Sequence, residues 1–181
     1  MRYSTGSVRC YLEKMTMTTN NVSGGCMCGA VRYEANQPHS FTSLCHCRMC
    51  QRWTGSPIFG SAAFMRESVS FTKGTPKTHK SSAVCERGFC ADCGSSLFTL
   101  YSSGGVFDTV IFIGIGTFDD PEIAPPDVHY GAEAELSWMH RDDGIPRISI
   151  DVDDPAEQNA LLEKLLIEGA NRRTRDTSQP G

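Results

Sequence analysis

Three thiols fall within the six residues 45–50 (CHCRMC), and two cysteine pairs flank this run. Structural zinc sites usually take four protein ligands, whereas catalytic zinc sites keep one coordination position open. Counting the seven thiols predicts one closed cluster and one open cluster, with Zn2+ in each and the second ion the more easily lost. The closed cluster comprises Cys26, Cys28, Cys90 and Cys93, and the open cluster comprises Cys45, Cys47 and Cys50.

Other uses of grouped cysteines fit this sequence less well. Disulfides belong to oxidising compartments, and residues 1–24 lack the apolar core segment of a secretory signal. A thioredoxin-type pair needs a strand-to-helix setting, but Cys93 is followed by GSSLF, which is typical of a turn entering a strand. Metal binding is therefore the favoured interpretation.

Two further residues bear on the ligand count. Successive side chains of an extended chain face opposite sides, so His46 should point away from a metal held by Cys45 and Cys47. We expect His46 to support the ligand loop or to pack, rather than to coordinate. Cys85 could supply a fourth ligand to the open cluster, although a half-buried free thiol is its more ordinary fate.

Length and composition indicate one folded domain. With 181 residues and 39% hydrophobic residues, the chain predicts a domain at 24–170, a flexible extension at 1–23 and a polar tail at 171–181. Met15 and Met17 are alternative start sites to Met1. The apolar run 110–115 is too short to span a bilayer, and a net charge of −4 gives no basic footprint for nucleic acid. We expect a cytoplasmic protein, with its oligomeric state open.

Alternating apolar and polar residues predict a mainly β fold. Strands are expected at 30–35, 41–44, 58–65, 68–72, 75–83, 96–101 and 106–115. Residues 58–83 should form a β meander, 102–105 a hairpin turn and 48–55 a turn or one helical turn, and another strand should precede Trp138.

One C-terminal helix is expected, with Asp154 as its N-cap and Pro155 at its first position. Its apolar side chains fall on one stripe that can pack on a sheet. The stripe comprises Ala156, Leu161, Leu162, Leu165 and Leu166.

Several segments carry a family resemblance. The main ones are GGCMCGAVRY at 24–33, CHCRMCQR at 45–52 and RGFCADCGS at 87–95. TGSP at 54–57, GTFDDP at 116–121, His129 and Ser137-Trp138 extend the match. Over about residues 24 to 147 the chain resembles the glutathione-dependent formaldehyde-activating enzyme family, which also includes the centromere protein V domain.

The resemblance implies a β-tent of several small antiparallel sheets pinned by zinc. It also implies that the four-cysteine cluster holds a structural zinc and the three-cysteine cluster a catalytic zinc, in agreement with the ligand count. The implied activity is that of a carbon–sulfur lyase that forms S-(hydroxymethyl)glutathione from formaldehyde and glutathione. Trp53 and His79 depart from the common family pattern and leave the substrate open.

A thiol bound at an open zinc would be held as thiolate, the form that attacks an aldehyde carbon. Arg48 and Arg52 are candidate partners for a glutathione carboxylate, because guanidinium and carboxylate pair in a fork geometry. Between Cys45 and Cys90, seven basic residues face two acidic ones, which also favours an anionic ligand. The pattern assigns no general acid.

Two functions without catalysis are alternatives to an enzyme. The chain could be a zinc-stabilised binding or scaffold module, or a site that sequesters thiols without turnover. An enzyme should have a concave pocket over residues 45–50, whereas an interaction module should expose an apolar patch.

Overall fold

The computed structural model describes residues 21–150 and, further along the chain, residues 160, 161, 163–165, 167 and 168. The strands are β1 (Val22–Gly25), β2 (Arg32–Ala35), β3 (Phe41–Cys45), β4 (Phe59–Met65), β5 (Val69–Lys73), β6 (Lys77–Lys80), β7 (Cys85–Phe89), β8 (Ser96–Tyr101), β9 (Val110–Gly114), β10 (Val128–Tyr130) and β11 (Arg147–Ile148). The helix α1 covers Arg48–Thr54, and the described residues between 160 and 168 are also helical. No helix in these ranges is long and apolar enough to cross a membrane.

Two sheets organise the described chain. The smaller sheet has the order β1-β2-β5 and is antiparallel. The larger has the order β11-β10-β3-β4-β9-β8-β7-β6, and β10 runs parallel to both β3 and β11. The mainly β class with more than one sheet is confirmed, but the larger sheet is eight-stranded and mixed rather than small and antiparallel.

The expected β meander over residues 58–83 is wrong in its pairing. β4 pairs with β3 and β9, β5 pairs with β2, and β6 pairs with β7. A 3-10 turn at Arg66–Ser68 separates β4 from β5, and its buried Ser68 hydroxyl donates to the carbonyl of Met65 at 2.7 Å. This turn leads the chain out of the larger sheet and into the smaller one.

The connection between β8 and β9 also differs from the expected hairpin turn. The two strands do pair in antiparallel fashion. However, a 3-10 helix at Gly105–Thr109 precedes β9 and buries Phe107, so the strand begins at Val110 rather than at residue 106.

The larger sheet is covered on both faces. On one face, residues such as Phe64 and Ile113 pack against Tyr33 of the smaller sheet. On the other face, Phe41 and Phe112 belong to a second buried cluster. Because side chains alternate along each strand, the same strands supply both layers.

The C-terminal helical residues pack on the second cluster. Leu165 is buried there and Leu161 packs against it, as expected for the apolar stripe. The N-cap Asp154, with Pro155, Ala156, Leu162 and Leu166, lies outside the described residues. The same is true of residues 1–20 and of the tail at 171–181, whereas β1 begins at Val22, two residues before the expected domain boundary.

Gly24 lies where the smaller sheet meets the rest of the fold. It forms an isolated antiparallel bridge with Phe118, and the Tyr33 hydroxyl lies 2.7 Å from the Thr117 hydroxyl. A Cβ at Gly24 would overlap the Tyr33 hydroxyl and the backbone carbonyl oxygen of Thr117. We predict that Gly24→Ala lowers the free energy of unfolding by about 1–3 kcal/mol, as overpacking does.

Gly60→Ala is the matched control, because a Cβ there meets nothing closer than 3.6 Å. Urea unfolding followed by circular dichroism measures both variants. Equal losses in the two variants would contradict the close approach at Gly24.

Candidate metal centre

Turns that follow strands of different sheets bring four predicted ligands together. The sulfur atoms of Cys26, Cys28, Cys90 and Cys93 all lie within 4.8 Å of one another. Tetrahedral zinc–sulfur bonds of about 2.3 Å place sulfur atoms about 3.8 Å apart. The Cys28 sulfur lies 3.5 Å from that of Cys26 and 3.8 Å from that of Cys90. This cluster could therefore hold a metal ion with four thiolates.

Both turns share one backbone construction. The amide of each turn's first cysteine donates to the carbonyl five residues later, at 3.0 Å in both cases. Gly29 and Gly94 donate back to the carbonyls of Cys26 and Cys90, with φ angles of 71° and 74°. Such positive φ values favour glycine, which has no Cβ. The glycine after each cysteine pair thus closes the turn that aims the sulfur atoms.

Hydrogen bonds help to lower the pKa of two of these thiols. The Ser95 hydroxyl lies 3.1 Å from the Cys93 sulfur and lowers the pKa of that thiol to about 6. The Val31 amide donates to the Cys26 sulfur at 3.2 Å. Burial would raise the pKa of Cys26, but this amide and the hydrogen bonds with Cys28 and Cys90 together lower it. The thiolate is the form that binds a metal.

β3 and α1 position the second cluster. Cys45 is the last residue of β3, Cys47 is the N-cap of α1, and Cys50 lies in the first turn of that helix. The Cys47 sulfur accepts a hydrogen bond from the Cys50 amide at 3.4 Å. The three sulfur atoms lie within 4.8 Å of one another, and the group does not include Cys85. The alternative of a fourth ligand from Cys85 therefore finds no support.

Three thiols packed this closely cannot all ionise without a compensating cation. The pKa of Cys47 is lowered to about 2, chiefly by its hydrogen bond with Cys45. The pKa of Cys45 is raised, first by Cys47 and then by Cys50. The neighbouring thiols thus stabilise one thiolate, and a divalent cation would supply the charge that the other two require.

Arg87 extends from β7 to the same cluster. Its Nη1 lies 3.6 Å from the Cys50 sulfur, and its Nε donates to the Ser81 hydroxyl at 3.0 Å. The guanidinium also lies 4.8 Å from the ring centroid of Trp53. Burial alone would lower the pKa of Arg87, but the charge and hydrogen bond of Cys50, with the charges of Cys85 and Tyr101, together raise it. A permanent positive charge is therefore held beside the thiols.

His46 belongs to a buried hydrogen-bond chain instead of to the sulfur cluster. Its Nε2 lies 2.7 Å from His129 Nδ1, and His129 Nε2 lies 2.9 Å from Asp143 Oδ2. Burial lowers the pKa of His46, which favours the neutral ring. His46, His129 and Glu135 are also close enough to hold a cation, but Arg147 already pairs with Glu135 at 3.2 Å. This hydrogen-bond chain links the loop that carries the cysteine ligands to the segment after β10.

A cavity of about 620 Å3 lies over the three-cysteine cluster. One face of the larger sheet forms much of its wall, where alternate residues of four strands point the same way. The pairs on this face are Ser43 opposite Ser61, Cys45 opposite Phe59, Cys85 opposite Tyr101 and Arg87 opposite Thr99. Phe41, Phe107 and Phe112 add an aromatic side. The concave pocket expected for an enzyme is present at residues 45–50.

Apart from the thiols, the polar groups that line this cavity are mostly hydroxyls. Among the described residues that line it, Arg87 is the only basic side chain and no carboxylate is present. Burial, followed by the charges of Cys85, Cys50 and Cys45, raises the pKa of Tyr101 well above its usual value, so the phenol keeps its proton. The buried Thr99 hydroxyl has no hydrogen-bond partner among the described residues. Tyr101 and Thr99 thus offer hydroxyl groups to a ligand.

The other sequence-based candidates lie away from the cavity wall. Arg48 and Arg52 are exposed on α1, and Arg48 hydrogen-bonds to the Gln51 side chain. Trp53 packs on Phe59, with ring centroids 5.0 Å apart, and His79 is exposed on β6. Carboxylate binding by Arg48 and Arg52 stays a prediction. Sequence-based prediction missed Arg87 and Tyr101 as site residues. Each lies two residues after another residue of the cavity wall, Cys85 or Thr99, and residues two apart in a strand face the same side.

A mainly β fold with two cysteine clusters, one of them beneath a cavity, defines a class of protein with two candidate metal centres. Residues 21–133 match the family model described as glutathione-dependent formaldehyde-activating enzyme, and the chain belongs to this family.

Two known proteins are similar to parts of this chain. A Schizosaccharomyces pombe protein described as an uncharacterized lyase is 35% identical over 81 residues, which cover 45% of this chain and 58% of the relative. A crystal structure of a Rhodobacter sphaeroides protein matches with a TM-score of 0.45 and 18% identity. That match covers 54% of this chain and 87% of the other.

The hydrogen-bond chain beside the ligand loop makes a testable prediction. His129→Ala removes the partner of the His46 ring and should lower the free energy of unfolding by about 1–3 kcal/mol, because a buried polar group then loses its hydrogen bond. His140→Ala is the control, since the His140 side chain is exposed and contacts Glu135 rather than His46, His129 or Asp143. It should change stability by less than about 0.5 kcal/mol. Chemical denaturation measures both, and equal losses would argue against the chain.

Proposed function

We propose that this protein is a zinc-dependent carbon–sulfur lyase that joins a thiol and a small aldehyde and also catalyses the reverse cleavage. Family membership and the description of the S. pombe relative as a lyase support an enzyme of this kind. The observation that carries the proposal is the cavity over a cluster of three thiols. Glutathione and formaldehyde, the pair in the family's description, are the first substrates to test.

The two clusters would differ in role because they differ in ligand number. Four thiolates from Cys26, Cys28, Cys90 and Cys93 would complete a structural zinc site. Cys45, Cys47 and Cys50 would leave one position open toward the cavity. Zinc bound there would lower the pKa of a substrate thiol and keep it as thiolate.

The chain's own residues would serve the addition in two ways. Arg87, 3.6 Å from Cys50, offsets the negative charge that accumulates when sulfur atoms gather. Tyr101 keeps its proton and lines the same cavity, so its hydroxyl can donate that proton to the oxygen of the aldehyde. The sulfur–carbon bond forms, the carbonyl electron pair moves to oxygen, and the proton released by the thiol restores the phenol.

The scaffold alternative has less support. A second metal that is purely structural would need a fourth ligand, and Cys85 lies outside the three-sulfur group. A purely structural metal also gives no reason for a cavity of about 620 Å3 above its ligands.

Metal content and thiol binding test this assignment together. We expect two zinc ions per chain in the wild type and one in Cys50→Ser, with glutathione binding lost alongside the second ion. Cys85→Ser is the matched control, because Cys85 is buried and lines the same cavity without joining the cluster. Elemental analysis and calorimetry give the two readouts. Wild-type protein that holds both zinc ions but binds no thiol would rule the proposal out.

The role of Tyr101 has its own test. Tyr101→Phe should slow thiol–aldehyde addition by about 10²-fold or more, the usual scale for losing a general acid, with zinc content unchanged. Tyr130→Phe, a second tyrosine of the same cavity, should have a much smaller effect. Exchange rates measured by NMR with glutathione and formaldehyde provide the comparison. Equal rates for wild type and Tyr101→Phe would assign the proton to another group.

A further inference from the structure

We infer that the substrate of this cavity carries an uncharged, apolar body the size of an aryl or medium-length alkyl group. This inference rests on the proposed function, in which a thiol and an aldehyde meet at the three-cysteine cluster. It concerns which thiols and aldehydes the site selects.

The size of the cavity is the first observation. At about 620 Å3 it falls in the range of pockets that enclose drug-sized ligands. Formaldehyde has two heavy atoms and would leave nearly all of this space empty. A substrate that fills the cavity must bring a larger group, on the sulfur or on the carbonyl carbon.

Aromatic side chains form one side of the space. The ring of Tyr101 lies 5.7 Å from that of Phe107 and 5.7 Å from that of Phe112, and the second pair is edge-to-face at 90°. Phe41 lines the cavity nearby and is buried. Aromatic rings favour edge-to-face contact with one another, and apolar groups gain by leaving water for such a surface. This side of the cavity suits a ring or an alkyl chain.

The charges of the cavity disfavour an ionic body. Arg87 is the only basic side chain among the described lining residues, and it is already engaged by Cys50, Ser81 and the Trp53 ring. Glutathione carries two carboxylates and an ammonium group, and burying such charges without partners is costly. A carboxylate inside the cavity would also compete with Cys50 for Arg87.

The basic residues counted in the sequence lie elsewhere. Arg48 and Arg52 are exposed on α1, and Lys77 and Lys80 are exposed on β6. None of them lines the cavity. The positive segment between Cys45 and Cys90 therefore does not make this pocket a site for anions.

The Thr99 hydroxyl is a polar group that can contribute to substrate selection. Its hydroxyl is buried, lines the cavity and has no hydrogen-bond partner among the described residues. Thr99 stands opposite Phe112 in the register of β8 and β9. A neutral oxygen on an otherwise apolar substrate would satisfy this hydroxyl without bringing in charge.

The apolar body can belong to either reactant. In the addition R–SH + R′–CHO ⇌ R–S–CH(OH)–R′, the sulfur–carbon bond forms and the thiol proton ends on the new hydroxyl, so no oxidant or reductant is needed. Either R or R′ can occupy the aromatic side of the cavity.

The zinc-loaded full chain tests the thiol side by calorimetry with benzyl mercaptan, 2-mercaptoethanol and glutathione. We expect benzyl mercaptan to bind at least tenfold more tightly than either of the other two. The aldehyde side is tested by NMR with 2-mercaptoethanol as the thiol. Each enzymatic rate is divided by the uncatalysed rate, and this acceleration should be larger for benzaldehyde than for formaldehyde if R′ fills the cavity.

A variant that fills the cavity tests whether the preference for benzyl mercaptan depends on this space. Ser61→Phe should lower the affinity for benzyl mercaptan at least tenfold and leave that for 2-mercaptoethanol within about threefold, because Ser61 is buried on the cavity wall. Ser70→Phe, exposed on β5, is the control and should change neither. If Ser61→Phe does not fold, Val84→Trp narrows the cavity from an exposed position of its lining and should show the same selective loss.

The outcomes separate the two proposals. Glutathione binding as tightly as benzyl mercaptan, with no preference for benzaldehyde, would overturn this inference and leave the lyase assignment standing. Absence of thiol binding by protein that holds both zinc ions would overturn the lyase assignment and this inference with it. A preference for benzyl mercaptan or for benzaldehyde would support the inference if the cavity-filling variant removes it.

Discussion

The repulsion between sulfur atoms that must ionise together is the constraint on which this structure depends. Two clusters of thiols lie close enough that each needs positive charge nearby. The four-cysteine cluster joins a turn after β1 to a turn after β7, and so links the smaller sheet to the larger one. In the three-cysteine cluster Arg87 supplies part of the charge from inside the fold. Placing a cation in each cluster would therefore stabilise both the junction between the sheets and the wall of the cavity.

Local signals in the sequence predicted much of this architecture, whereas long-range pairing had to come from the structure. Local alternation and turn residues predicted strands at 41–44, 58–65 and 96–101, which the structure has at 41–45, 59–65 and 96–101, and the cysteine spacing predicted both clusters. The same alternation cannot say which strands meet, because one apolar face can pair with many partners. β5 thus joins β2, and β10 runs parallel to β3 across more than eighty residues of chain. Arg87 was overlooked for a related reason, since β7 carries a glycine and two charged residues and gave little strand signal.

The charges counted in the sequence and the charges that line the cavity suggest different ligands. The segment between Cys45 and Cys90 is basic, yet four of its seven basic side chains are exposed on α1 and β6. Strand alternation turns Arg87 inward and leaves aromatic and hydroxyl groups around it. The cavity that results is apolar with one fixed charge beside the sulfur atoms. A pocket of this kind agrees with the inference above, in which the substrate carries an apolar body.

Cys47 is both a helix cap and a member of the three-sulfur cluster, and this double use affects how quickly a metal can come and go. Its sulfur accepts the Cys50 amide, so a contact within the protein helps to hold the start of α1. Cys45 is fixed separately by the pairing of β3 with β4. Because local contacts hold the ligands of this cluster, we expect an ion there to exchange without unfolding of β3 or α1. The four-cysteine cluster joins turns of two sheets, so we expect its ion to exchange more slowly than an ion at the three-cysteine cluster.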